Sequence, residues 1–195
     1  MNKIRLKELT RLMVGLMFFG LGITFIVQAR IGVPPWDVLA QGLSKVFGLS
    51  FGTGVILVSA LVLLIWIPLR IKPGFGTIAN GILIGLWANL FMSFVSPAAN
   101  YGWSVGMLLL GISLVATASG LYISANLGAG PRDGLMIGSA KLLQKPLWLV
   151  RTGYELSALG LGWALGGQFR EGTVLFALVI GPLMHRSIDF FKKSA

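Results

Sequence analysis

One stretch of this chain is written twice. Ala29-Arg30-Ile31-Gly32-Val33-Pro34-Pro35-Trp36-Asp37-Val38-Leu39-Ala40-Gln41-Gly42-Leu43-Ser44-Lys45 returns, without a gap, as Ala125-Asn126-Leu127-Gly128-Ala129-Gly130-Pro131-Arg132-Asp133-Gly134-Leu135-Met136-Ile137-Gly138-Ser139-Ala140-Lys141. The offset is 96 residues, and Ala, Gly, Pro, Asp, Leu, Gly and Lys recur at seven matching places. The same register pairs Leu12 and Gly15 with Leu108 and Gly111, Gly76-Thr77 with Gly172-Thr173, Ile84-Gly85 with Ile180-Gly181, and Phe94 with Phe190. Apolar matches come easily in an apolar chain, so the Gly, Pro, Asp, Thr and Lys pairs carry the weight. One register held this far points to a duplication, 1–99 followed by 100–195, folded as one integrated domain.

The chain around the two copies is oily. It is 55% hydrophobic and 11% charged, with mean hydropathy +0.84. A soluble domain carries about 25% charge. The reading is an all-α polytopic membrane protein whose first partner is the lipid bilayer. A spanning helix needs about 20 apolar residues, and spans are expected at 9–29, 52–70, 75–95, 103–124, 147–166 and 172–190. The two motif copies fall between spans, in 30–51 and 125–146. Lys3, Arg5, Lys7 and Arg11, an apolar run and Val27-Gln28-Ala29 together have the outline of a cleaved signal. Leu12 and Gly15 belong to the repeat, however, so this segment is expected to stay as the first span.

Several classes of chemistry drop out. The net charge is +10, but the basic residues sit in short loops and near the ends, a membrane-topology pattern and not a nucleic-acid face. Without Cys there is no disulfide, thiol nucleophile or thiolate metal site. The single His185 cannot build a metal cluster, and no cofactor or metal is expected. No G-x-x-x-x-G-K-[ST], H-E-x-x-H or G-x-S-x-G is present. An enzyme is not expected, and an intramembrane enzyme acting on lipid finds no catalytic pair.

Three spans per unit is an odd number, so a motif segment that does not cross would invert the second half. With the N-terminus in the cytoplasm, Lys3, Arg5, Lys7, Arg11, Arg70, Lys72, Arg132, Lys141, Lys145, Arg151, Arg186, Lys192 and Lys193 fall inside, 13 of the 16 basic residues. Arg30, Lys45 and Arg170 fall outside. Both chain ends are then cytoplasmic, as the positive-inside rule favours. The rival is a parallel four-plus-four repeat whose motif segments cross. It leaves Arg30, Arg70, Lys72, Arg132 and Arg170 outside, 11 against 5.

Within each motif, Pro35 and Pro131 suit the first turn of a helix, where a missing N–H costs nothing. Asp37 and Asp133 then lie in that turn, where the helix dipole favours an anion. Short helices are expected at about 35–47 and 131–144. In the first, Trp36, Leu39, Leu43 and Val46 share one face, and Asp37, Gln41, Ser44 and Lys45 the other. The second is less amphipathic, with Asp133, Lys141 and Gln144 on its polar side. Such a helix can lie flat at the interface, its Asp a cap and its Lys snorkelling. It can also be a re-entrant half-helix, and paired breaks in two halves are the pattern that marks a solute site.

Few other polar residues lie inside spans. Arg151 and Glu155 stand at i, i+4 in the fifth span, either as a self-neutralised pair or as a coupling carboxylate with its partner. Asn80, Asn89 and His185 read mostly as interhelical hydrogen-bonding or surface groups. Gly81/Gly85 and Gly162/Gly166 are G-x-x-x-G pairs, for contacts between halves or a homo-oligomer face. Thr77 and Thr173 read as N-cap or first-turn residues. Trp66, Trp87, Trp103, Trp148 and Trp163 fall mostly near span ends, as an aromatic belt would.

Gly32-Val33-Pro34-Pro35-Trp36-Asp37-Val38-Leu39, with Gln41-Gly42-Leu43-Ser44 and the second copy at 128–135, resembles the bacterial YczE/YyaS/YitT-like group of small membrane proteins. The likeness runs over essentially the whole chain. It implies a bacterial inner-membrane protein and brings no substrate with it. YitT-like relatives often add a soluble C-terminal domain; this sequence ends at Lys192-Lys193-Ser194-Ala195, and regulation through such a domain is not expected.

The expected function is a small secondary transporter or permease with a central site for a small solute between two half-helices. Asp37, Asp133, Arg132, Gln41 and Glu155 are the candidate binding residues. Gly32, Pro35, Gly128 and Pro131 shape the breaks, and Lys45, Lys141 and Arg151 are secondary candidates. The alternative is a non-transporting scaffold that supports another membrane or biosynthetic system through its glycine faces and the basic segment 132–151.

Overall fold

A computed structural model describes residues 6–193. Lys3, Arg5 and Ser194-Ala195 lie outside the described residues, and with them the placement of both chain ends. The described chain is helical throughout: α1 Leu6–Ala29, α2 Pro35–Phe47, α3 Phe51–Trp66, α4 Phe75–Met92, α5 Tyr101–Ser124, α6 Pro131–Leu143, α7 Leu147–Ala164 and α8 Glu171–Lys193. A helix stands at every expected span, and α2 and α6 are the two motif helices. Pro35 and Pro131, Phe51 and Leu147, and Phe75 and Glu171 open corresponding helices, each pair 96 residues apart.

Local chemistry sets the ends of the motif helices. Proline occupies the first position of each, and each has 13 residues. They stop at a left-handed residue, Gly48 (φ 64°) after α2 and Gln144 (φ 51°) after α6. Gly32 and Gly128 lead into them at φ 117° and 124°, a conformation that only glycine takes without strain.

The six-span expectation is narrowed. α1, α4, α5 and α8 are long and apolar enough to cross a bilayer. α3 has 16 residues, about 24 Å of helix, short of the roughly 30 Å hydrocarbon core. It continues from α2 through a bend of 111°, so the pair forms one broken element. α7 has 18 residues but carries Arg151 and Glu155, and it does not join the apolar four.

α1 and α5 form the centre and run antiparallel. Gly15 lies against Ala118 and Tyr122, whereas Gly22 and Ile26 meet Gly111. Small residues allow this approach, which dispersion and packing hold together when lipid is the solvent. Leu12, Leu16, Ile23 and Ile26 of α1, with Leu108 and Ile112 of α5, are fully buried there. α4 leans on α1, where Thr24 donates to the Ala88 carbonyl at 3.3 Å, and α8 leans on α5. Each motif helix packs across to the other half, α2 on α7 and α6 on α3.

Two hydrogen bonds lock this exchange. Gly76 N–H donates to the Leu127 carbonyl at 2.7 Å, and Gly172 N–H donates to the Ile31 carbonyl at 2.7 Å. The four residues form two equivalent pairs in the 96-residue register. Thr77 and Thr173 are first-turn residues, as expected. Thr77 accepts from Gly74 N–H at 3.1 Å and donates to the Ala129 carbonyl at 2.7 Å.

A candidate central site

The first turns of α2 and α6 meet in the middle of the molecule. Asp37 is 1% exposed and accepts from Arg132 Nη2 at 3.0 Å. The Arg132 guanidinium also lies 5.7 Å from the centre of the Trp36 ring, within cation–π range. Trp36 and Arg132 occupy equivalent positions of the two motifs, so these positions face each other across the centre. Neither aspartate acts as the expected cap: the residues before the helices are Pro34 and Gly130, without side-chain caps. Asp133 instead accepts from the Tyr122 hydroxyl at 2.8 Å.

Around this contact lies a cavity of about 110 Å³. Asp37, Asp133, Arg132, Arg151 and Glu155 all line it, and Arg151 Nε donates to Glu155 Oε1 at 2.8 Å. Val55 and Ser59, the counterparts of Arg151 and Glu155 in the 96-residue register, line it too. Asn80, Ser119, Tyr122 and Trp36 complete the polar lining. The indole N–H of Trp36 is buried and has no hydrogen-bond partner among the described residues. A second cleft, about 430 Å³, shares Asp133, Met136, Arg151 and Met184 with the first and extends past Gly128, Ile137 and Leu147. Cavity and cleft are therefore neighbours across these four side chains.

Residues 6–189 match the family described as a family of unknown function, DUF6198. The chain belongs to this family. A protein of Haemophilus influenzae, described as uncharacterised, is 36% identical over 178 residues, 91% of this chain and 82% of the relative. The membrane protein YczE of Bacillus subtilis is 34% identical over 180 residues, 89% of this chain and 82% of its own. YyaS of the same organism is 26% identical over 176 residues, 88% of each. The likeness to YczE and YyaS read from the two motifs holds. No solved structure matches the chain.

In this DUF6198 protein three candidates stand apart from the centre. Gln41 accepts from Gln168 N–H at 2.9 Å and pins the α7–α8 loop. Lys45 donates to the Gly166 carbonyl just beyond α7, where a helix leaves its last carbonyls open. Lys141 lies on the exposed end of α6. Both faces of α2 are covered: Asp37 and Ser44 of the polar face and Trp36 of the apolar face are buried, and exposure is confined to its last turn, Lys45 to Phe47. In a membrane the polar side turns inward, where partners exist. His185 faces out and sits 3.4 Å from Asp189. Asn89 accepts from Gly52 N–H, the interhelical role expected of it.

Trp66 corrects the aromatic-belt reading. It is buried, and its Nε1 donates to the Pro131 carbonyl at 3.1 Å, fixing the start of α6. Trp103, Trp148 and Trp163 are exposed. The glycine pairs serve contacts inside the chain, Gly85 against Gly52 of α3 and Gly162 against Val38 and Leu39 of α2. Tyr122, Trp36, Ser59 and Trp66 were not singled out as site residues. The repeat register held a signal for Trp36, because it stands opposite Arg132.

Proposed function

We propose that this protein is a small, non-enzymic secondary transporter of the bacterial inner membrane. Two half-helices of an inverted duplication hold its solute. The observation that carries the reading is the position of the cavity. It lies where the first turns of both motif helices meet, and matching positions of the two halves form its walls. Polar groups collected inside a membrane protein mark a solute path. The buried Trp36 N–H is a donor available to a solute.

The antiparallel packing of α1 and α5 and the reciprocal bonds at Gly76 and Gly172 support inversion over a parallel repeat. Cysteines at Arg30 and Asn126, equivalent exposed sites, test it. A membrane-impermeant maleimide should label Arg30→Cys only from outside and Asn126→Cys only from inside, with both ends cytoplasmic. Labelling from one common side would discard the inverted site.

Transport itself is tested in proteoliposomes on a solid-supported membrane. Jumps in small organic cations, anions and zwitterions should drive a transient current or a luminal pH change for one class. Asp37→Asn/Arg132→Gln, which removes both charges together, should abolish it in correctly inserted protein. No response to any class, under either pH gradient, would remove transport. The scaffold reading relied on glycine faces and on basic residues 132–151. Those faces are occupied within the chain, Arg132 turns to Asp37 and Arg151 to Glu155, and Lys141 and Lys145 are the exposed basic residues left to such a role.

A further inference from the structure

The two halves differ where a repeat would make them match. In the first half, α3 and α4 touch backbone to backbone. Gly52 and Gly85 leave each other no room for a side chain, and Gly52 N–H donates to Asn89 Oδ1 at 2.9 Å. The equivalent positions on α7 and α8 are Trp148, Gly181 and His185. An indole cannot enter the gap that Gly52 closes. Trp148 stands 68% exposed, nothing lies within 4 Å of where a Cβ on Gly181 would be, and His185 turns out to Asp189. α7 therefore packs on α2 and α6, and α8 on α5.

The 430 Å³ cleft lies along this unclosed seam, with Leu147 and Arg151 of α7 on one side and Met184 of α8 on the other. Ile123 and Ile137 add apolar wall, and Asp133 lines both this cleft and the central cavity. The charges there are unequal. Asp37 is neutralised by Arg132 and Glu155 by Arg151. Asp133 has the Tyr122 hydroxyl and, among the described residues, forms no ion pair.

We propose that the cleft binds a cationic amphiphile, an alkyl chain with an ammonium head, entering sideways from the bilayer between α7 and α8. The head rests on the Asp133 carboxylate, and the chain lies against Ile137, Leu147 and Met184. An anionic head of the same size would meet the carboxylate instead. The inference rests on the central-site reading and names its substrate class.

The probe is a long-chain primary alkylamine with a diazirine in its tail, photolysed with the full-length protein in nanodiscs and mapped by mass spectrometry. Labels should concentrate on 137, 147 and 184 and should fall about tenfold for an alkyl sulfate of equal length. Asp133→Asn should lower labelling about as much, and Asp133→Glu should restore it. Met184→Trp, which narrows the cleft on its α8 side and keeps the Asp133 carboxylate, should block it. Labels spread evenly over the outer helix faces, equal labelling by the sulfate, or an unchanged Asp133→Asn would each overturn the proposal. Binding is read without flux, so the two ideas part cleanly. Selective labelling with silent proteoliposomes keeps the cleft and discards transport. Flux without labelling discards the cleft alone.

Discussion

At the scale of single residues, the Asp37–Arg132 pair is the most consequential contact. Asp37 is buried and Arg132 mostly so. Removing one partner of such a pair leaves an uncompensated charge, at a cost of about 3 kcal/mol. Asp37→Asn should lower thermal stability in detergent accordingly. Asp37→Asn/Arg132→Gln should recover part of the loss, giving a non-additive cycle. Additive losses would mean that the pair contributes no coupling. Both residues were legible in the sequence as candidates, but their pairing was not. They lie 95 positions apart in the chain, and local reasoning assigned each Asp to its own helix N-terminus. The partner comes from the other half, which no helical periodicity encodes.

At the scale of elements, the seams between neighbouring helices decide where the molecule is tight. A Cβ at Gly52 would collide with the Gly85 backbone, whereas one at Gly181 would meet nothing. Gly52→Ala should destabilise by about 2 kcal/mol through overpacking. Gly181→Ala should be neutral or stabilising by up to about 1 kcal/mol, the helix-propensity gain. Equal effects in a denaturation series would remove the distinction between the two seams. Lys45→Ala, which loses the bond to the Gly166 carbonyl, should cost about 0.5–1 kcal/mol and leave the central cavity unchanged. Helix positions and both motif helices were legible, because proline, glycine and apolar runs act locally. The burial of both faces of α2 was not. Periodicity finds two faces but cannot say that protein covers them both.

At the scale of the whole molecule, the two halves are interlocked and not merely adjacent. Each motif helix packs on the third helix of the other half, and each motif entry is bonded to the other half's last helix. Segments 1–99 and 100–195, expressed separately, should be protease-sensitive alone and should gain resistance and co-purify when expressed together. A half that resists digestion by itself would argue against interlocking.

The meeting of positions 36 and 132 has a further consequence. A residue on a two-fold axis looks at its own copy. In an assembly of two identical subunits, Arg on the axis would oppose Arg, and Trp would oppose Trp. Two identical subunits cannot set an arginine against a tryptophan there, whereas two unlike segments of one polypeptide can. Transposition makes the idea measurable. Trp36→Arg alone brings two guanidinium groups together and should unfold the centre. Trp36→Arg combined with Arg132→Trp separates the two guanidinium positions again and moves the charge towards Asp133, so it should recover part of the loss, Asp37 being left without its partner.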